Sequence, residues 1–152
     1  VAESFGRGDQ QGINDASRLG VAATIIVGIL LGLIVFVLRE PISLGLVRAD
    51  AEMDDVLLAP ALAALLFTVA LAIVFDGLQC TASMALRAQG IVWVPSAIHI
   101  GSFFVLMIPM GYWLGLVQGR GAQGMIEAAF IGVFVAAILQ WALLEWKTAR
   151  PR

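Results

Sequence analysis

The 152 residues are 61% hydrophobic and only 13% charged, with a mean hydropathy of +0.95, which excludes an ordinary water-soluble domain. A net charge of −2 with no basic cluster excludes a nucleic-acid surface, because phosphate binding needs concentrated Lys and Arg. Cys80 is the single cysteine, so neither an internal disulfide nor a cysteine-rich metal site is possible; it reads as a small apolar filler.

The opening VAESFGRGDQQGINDASR lacks the basic start and apolar core of a signal peptide, and Val1 is not an initiator methionine. An apolar patch followed by Gly, Asp, Gln and Asn predicts the end of a preceding helix and a cytoplasmic loop over residues 1–18. The chain is accordingly expected to be the C-terminal part of a longer polypeptide.

Four spans are then marked by missing charge: 19–38, 56–87, 94–117 and 124–146, followed by a cytoplasmic tail at 147–152. Each crosses a hydrocarbon core of about 30 Å at about 1.5 Å per residue. Residues 39–55, with Arg39, Arg48 and five acids, read as an outer connection. Gly28 with Gly32, and Gly111 with Gly115, are small pairs four residues apart that let helices approach closely. Pro95 fits the first turn of the third span, where its missing N–H is not needed. Pro109 falls inside that span and is expected to kink it, freeing a carbonyl.

With the N-terminus inside, Arg7, Arg18, Arg87, Lys147, Arg150 and Arg152 collect on the inner side, against Arg39, Arg48 and Arg120 outside. That bias predicts both termini in the cytoplasm. Trp93, Trp113, Trp141 and Trp146 lie near span ends, where amphipathic rings settle.

Asp76 is the only charged side chain in residues 56–86. A carboxylate at the centre of a membrane helix costs roughly 2.5 to 3.5 kcal/mol even on lenient insertion scales, and such groups serve ion or proton pathways. If Arg87 marks the inner interface, Asp76 lies about 16 Å above it, close to the bilayer midplane where transporters hold their sites. Gln79, Cys80, Ser83 and Arg87 follow at helical spacing, so one face gathers the polar side chains and is expected to line a cavity. The alternative is a polar packing seam with Asp76 hydrogen-bonded to a neighbouring helix. Proton exchange and sodium coordination by hard oxygens are both open to Asp76, and no other metal ligand set is visible.

His99, without a second His or Cys, reads as an interfacial or packing residue. Glu127 reads as an acid placed by the dipole of the last helix.

Several stretches together resemble the multidrug and toxic compound extrusion (MATE) transporters. VAESFGRGDQQGINDASRLG is similar to the loop that opens the ninth helix, FDGLQCTASMALRAQG to the tenth, and IPMGYWLG with GRGAQGMIEAAFIG to the eleventh and the start of the twelfth. The segment GIVWVP departs from the polar run usual before the proline. The resemblance implies an all-α integral membrane protein whose four helices form part of the second six-helix lobe, working as a secondary antiporter in a plasma membrane, such as a bacterial inner membrane. It further implies proton or sodium as coupling ion, small organic cations or drugs as cargo, no cofactor, an N-terminal part of the same polypeptide as partner, and Asp76 as the coupling acid. The coupling acid of the seventh helix is not in this sequence. A flippase for lipid-linked oligosaccharides is a rival with the same helix plan; a membrane scaffold without transport is another. No enzymatic role is expected, since Asp76 has no second catalytic group in the other spans.

Overall fold

The computed structural model describes residues 1–48 and 55–148, and these are all helix and turn. A short helix α1 (Ala2–Gly6) precedes α2 (Gln10–Arg48), α3 (Asp55–Ala88), α4 (Trp93–Val117) and α5 (Gly121–Thr148). The last four are long and apolar enough to cross a membrane. They run up and down in alternation: α2 packs along α3, α3 on α5, and α5 on α4, while α2 and α4 do not touch among the described residues.

Small residues make these contacts. Ala82, Ala128, Ala136 and Ala137 have no exposed surface, whereas Ile26, Leu30, Ile34, Phe104, Val105 and Leu116 point outward. The pattern inverts that of a soluble protein, because lipid solvates large aliphatic groups and helices gain only where backbones come close. A Cβ at Gly28 would lie 3.2 Å from the Val74 Cα, and one at Gly32 only 2.7 Å from the Ala70 carbonyl oxygen, so this pair sets the α2–α3 approach. At the α4–α5 contact, a Cβ at Gly111 would meet the Ala128 Cβ at 3.8 Å and one at Gly115 would meet Met125 at 2.9 Å. Between α3 and α5 the larger Phe75 packs edge-on against Phe134 at 4.8 Å and Phe130 at 5.9 Å.

The spans at 56–87, 94–117 and 124–146 agree with α3, α4 and α5 to within three residues. The first does not. Asp9 accepts from the Gly12 amide at 2.9 Å and caps α2 nine residues before the charge-free stretch, so most of the expected loop at 1–18 is helix. At the other end α2 continues through Glu40 and Pro41 to Arg48, where a connection was expected. Ser43 and Val47 are each 2% exposed, so packing carries the helix past its proline. At 39 residues α2 is about 58 Å long, and both ends must project beyond the hydrocarbon. Asp50, Glu52, Asp54 and residues 149–152 lie outside the described residues.

Pro109 does interrupt α4. Two π-helical turns, Ser102–Met107 and Tyr112–Val117, flank a short α-helical step, Ile108–Gly111. Proline removes a donor and crowds the carbonyl one turn earlier, and a widened turn absorbs both effects. The α3–α4 turn closes with the Gly90 amide on the Arg87 carbonyl at 2.9 Å and the Ile91 amide on the Leu86 carbonyl at 3.1 Å. Gly90, at φ +79°, supplies the left-handed residue that this helix ending requires.

Gly32→Ala is expected to lower the thermal midpoint of the chain in detergent, followed by circular dichroism, with a cost of about 1–3 kcal/mol from overpacking. Gly101→Ala, which meets nothing within 4 Å, should leave the midpoint unchanged or raise it.

Candidate functional site

The 3.6-residue repeat of α3 stacks Asp76, Gln79, Cys80, Ser83 and Arg87 on one face, and all five line one cavity of about 270 Å³ facing α4, completed by Met84 and His99. Cys80 is exposed here, not packed as an apolar filler. Arg87 closes one end, donating to the Ser96 hydroxyl at 3.3 Å, which in turn donates to the Val92 carbonyl at 2.9 Å.

Asp76 also borders a second cavity, of about 400 Å³, between α2 and α3, lined by Ala23, Thr24, Val27, Gly28, Leu31, Ile73 and Gly77. Its carboxylate is exposed and makes no hydrogen bond or ion pair among the described residues. The acid therefore stands on a ridge between two open spaces, and it makes no hydrogen bond to a neighbouring helix among the described residues. Charge at this depth is tolerated where water, a proton or a cation reaches the oxygens.

Three polar contacts between helices could not be read from the sequence. Thr24 and Thr81 join their hydroxyls at 2.7 Å across the α2–α3 contact. Thr24 is the only side chain able to hydrogen-bond within residues 19–38, which is a usable signal. His99 makes the second: the Gln79 amide nitrogen sits on its Nδ1, and its ring lies 4.5 Å from that of Phe103. A lone imidazole in a span without Asp, Glu, Lys or Arg was the signal, and only the fold shows that it meets Gln79. Gln140 makes the third, 1% exposed and donating to the Pro95 carbonyl at 3.2 Å, so that α5 anchors the first turn of α4.

Glu127 is placed elsewhere. In the first turns of α5, Arg120 holds it at 2.5 and 2.7 Å and Gln123 donates to it at 2.9 Å. It lines a cavity of about 700 Å³ between α2, α3 and α5, larger than the two that Asp76 borders, together with Arg39, Glu40, Ser43, Phe67 and Thr68. Arg39 lies over Phe36 at 4.5 Å. Two acids line this cavity, Glu127 paired with Arg120 and Glu40 on the extension of α2 beyond residues 19–38, whereas Asp76 borders the two smaller cavities from within the apolar stretch of α3. No group of three His, Cys, Asp or Glu side chains converges on a metal position among the described residues.

Because Cys80 faces the α3–α4 cavity, a hydrophilic maleimide should label it in the folded chain, and Ser83→Trp should slow that labelling by filling the same space. Labelling that appears only after denaturation would contradict the open cavity.

Residues 1–113 match the family model described as MatE. The chain is 29% identical over 150 residues to a protein described as probable multidrug resistance protein NorM from Caulobacter vibrioides, covering 97% of this chain and 31% of that protein. It is 30% identical over 153 residues to a protein of the same description from Pseudomonas syringae pv. tomato, covering 99% of this chain and 32% of that protein. It is 26% identical over 153 residues to protein DETOXIFICATION 17 of Arabidopsis thaliana, covering 95% and 31%. The chain thus spans about a third of the length of the curated relatives it matches.

Proposed function

Because the chain belongs to the MatE family, we propose that it forms part of a cation-coupled antiporter that exports drugs or organic cations, supplying four helices of the second lobe. The observation that carries this reading is Asp76, an exposed carboxylate that borders two cavities and has no hydrogen-bond or ion-pair partner among the described residues. The printed names of the relatives, probable multidrug resistance proteins, agree with a drug cargo.

The mechanism follows from exclusive occupancy of one charge. A proton or sodium ion entering from the outer side neutralises Asp76, and an organic cation from the inner side competes for the same oxygens. Neither binds well while the other is present, so flow of the small cation drives the larger one out as the lobes rock about the midplane. For sodium, the Thr24 hydroxyl on the wall of the second cavity is a further hard oxygen. Arg87 is the only Lys or Arg lining either cavity among the described residues, and it sits at one end, which supports a cationic cargo over an anionic lipid-linked one. Both termini lie in the cytoplasm of a plasma membrane, as the basic residues distribute.

In the longer polypeptide to which the proposal assigns this chain, Asp76→Asn should reduce coupled dye efflux to background at unchanged expression. Glu127→Gln, whose native partner is Arg120, should retain most of it. Efflux by Asp76→Asn at the wild-type rate would overturn the coupling role. For topology, Ala122→Cys on a Cys80→Ser background should react with an impermeant thiol reagent in intact cells, and Val92→Cys should not; the reverse would invert the arrangement.

A further inference from the structure

We propose that the cavity between α2 and α5 beside Arg18 and Glu145 binds one phospholipid with a phosphoethanolamine head, its phosphate on Arg18 and its ammonium on Glu145. The inference goes beyond the reading of Asp76 and uses none of the same atoms.

This cavity holds about 360 Å³, and its lining is sorted by polarity. Arg18 of α2 donates to Glu145 of α5 at 3.3 Å across one end. Arg18 immediately precedes the charge-free stretch 19–38, so the ion pair sits where that span meets the membrane surface. From there the antiparallel helices enter the hydrocarbon together, Val21 and Ile25 following on α2 and Trp141 lying one turn before Glu145 on α5, and all three line the cavity. Ile25 is seven residues past Arg18, about 10 Å deeper. A charged mouth above an apolar trough is the order of a phospholipid, and a soluble ion has no use for the trough.

The ion pair is open to such a head. One Arg18 nitrogen meets one Glu145 oxygen, and the two side chains are 67% and 38% exposed. Of the five N–H donors of a guanidinium, this is the single one used by the described residues, and an exposed pair of this kind contributes little stability, so a headgroup enters between the partners at small cost. Opposite charges then select the head. A phosphate takes two guanidinium donors at once, and a primary ammonium has three donors for the carboxylate. Phosphatidylglycerol would bring a phosphate with no amine and leave Glu145 facing it, while a choline head has no N–H to give. Lys147 takes no part, since its ammonium lies over the Trp146 ring at 5.0 Å and does not line the cavity. Ser17 and Thr148 line the same end but are 2% and 5% exposed, so the headgroup contacts fall on Arg18 and Glu145.

Native mass spectrometry of the chain in detergent micelles, titrated with phosphatidylethanolamine, phosphatidylcholine and phosphatidylglycerol of identical acyl chains, tests this assignment. The expected result is one saturable phosphatidylethanolamine, bound about fivefold more tightly than either other lipid, the effect of one half-exposed charged hydrogen bond. Glu145→Gln should level phosphatidylethanolamine with phosphatidylcholine, Arg18→Gln should weaken phosphatidylethanolamine binding by a similar factor, and Lys147→Gln should change neither. Glycerophosphoethanolamine, the same head without chains, should not displace the lipid at equal concentration. Equal binding of the three lipids, a preference for either of the others, displacement by the chainless head, or a phosphatidylethanolamine preference that survives in folded Glu145→Gln would each overturn the proposal. All but the last are read in the wild-type chain, so no variant has to fold for a decision.

Discussion

Hydrocarbon offers backbone polar groups no hydrogen-bonding partner and gives apolar side chains no reason to leave it, so helices associate where small residues let them touch. In this protein that constraint acts at Gly28 and Gly32, where α2 comes within a methyl group of Val74 and Ala70. The close approach fixes α2 against the half of α3 that carries Asp76. The Thr24–Thr81 hydroxyl pair then ties the same two helices on the Arg87 side of the acid. With both contacts in place, a cavity bordered by Asp76 remains between them.

The other wall is built by different means. α4 reaches the polar face of α3 through Gln79–His99 and Arg87–Ser96, and is held from behind by Gln140 on the Pro95 carbonyl. Its two π-helical turns lie farther along, around Pro109. Wide turns and a proline next to a polar cavity are frequent where a helix must change shape. Asp76 thus lies between a close contact made by glycines and one made by polar side chains. Glu127 shows what a structural acid looks like in the same protein: bidentate to Arg120 and supported by Gln123.

Much of this was legible in the sequence, and the exceptions have physical causes. Absence of charge reports which residues lie in hydrocarbon, so it located α3, α4 and α5 well, because their helices end close to the membrane surface. It failed for α2, since a helix need not stop at the interface: the Asp9 cap starts it early, and burial of Ser43 and Val47 carries it past Pro41. Helical spacing puts Gln79, Cys80, Ser83 and Arg87 on the face of Asp76, and all five border one cavity, because that relation is internal to one helix. Contacts between helices were beyond it. Thr24 with Thr81 and Gln79 with His99 depend on register between separate segments, and no periodicity within one segment encodes that.

Reactivity of the carboxylate itself bears on the central claim most directly. A hydrophobic carbodiimide, which modifies carboxyl groups inside membranes, applied to the chain in lipid nanodiscs and followed by peptide mass spectrometry, should modify Asp76 in preference to Glu127, whose oxygens are held by Arg120 and Gln123. Sodium or rising pH, according to the coupling ion, and an organic cation such as tetraphenylphosphonium should each protect Asp76 in a saturable way. An Asp76 that stays unmodified, or one whose modification responds to none of these, would contradict its role as an open, exchangeable cation site.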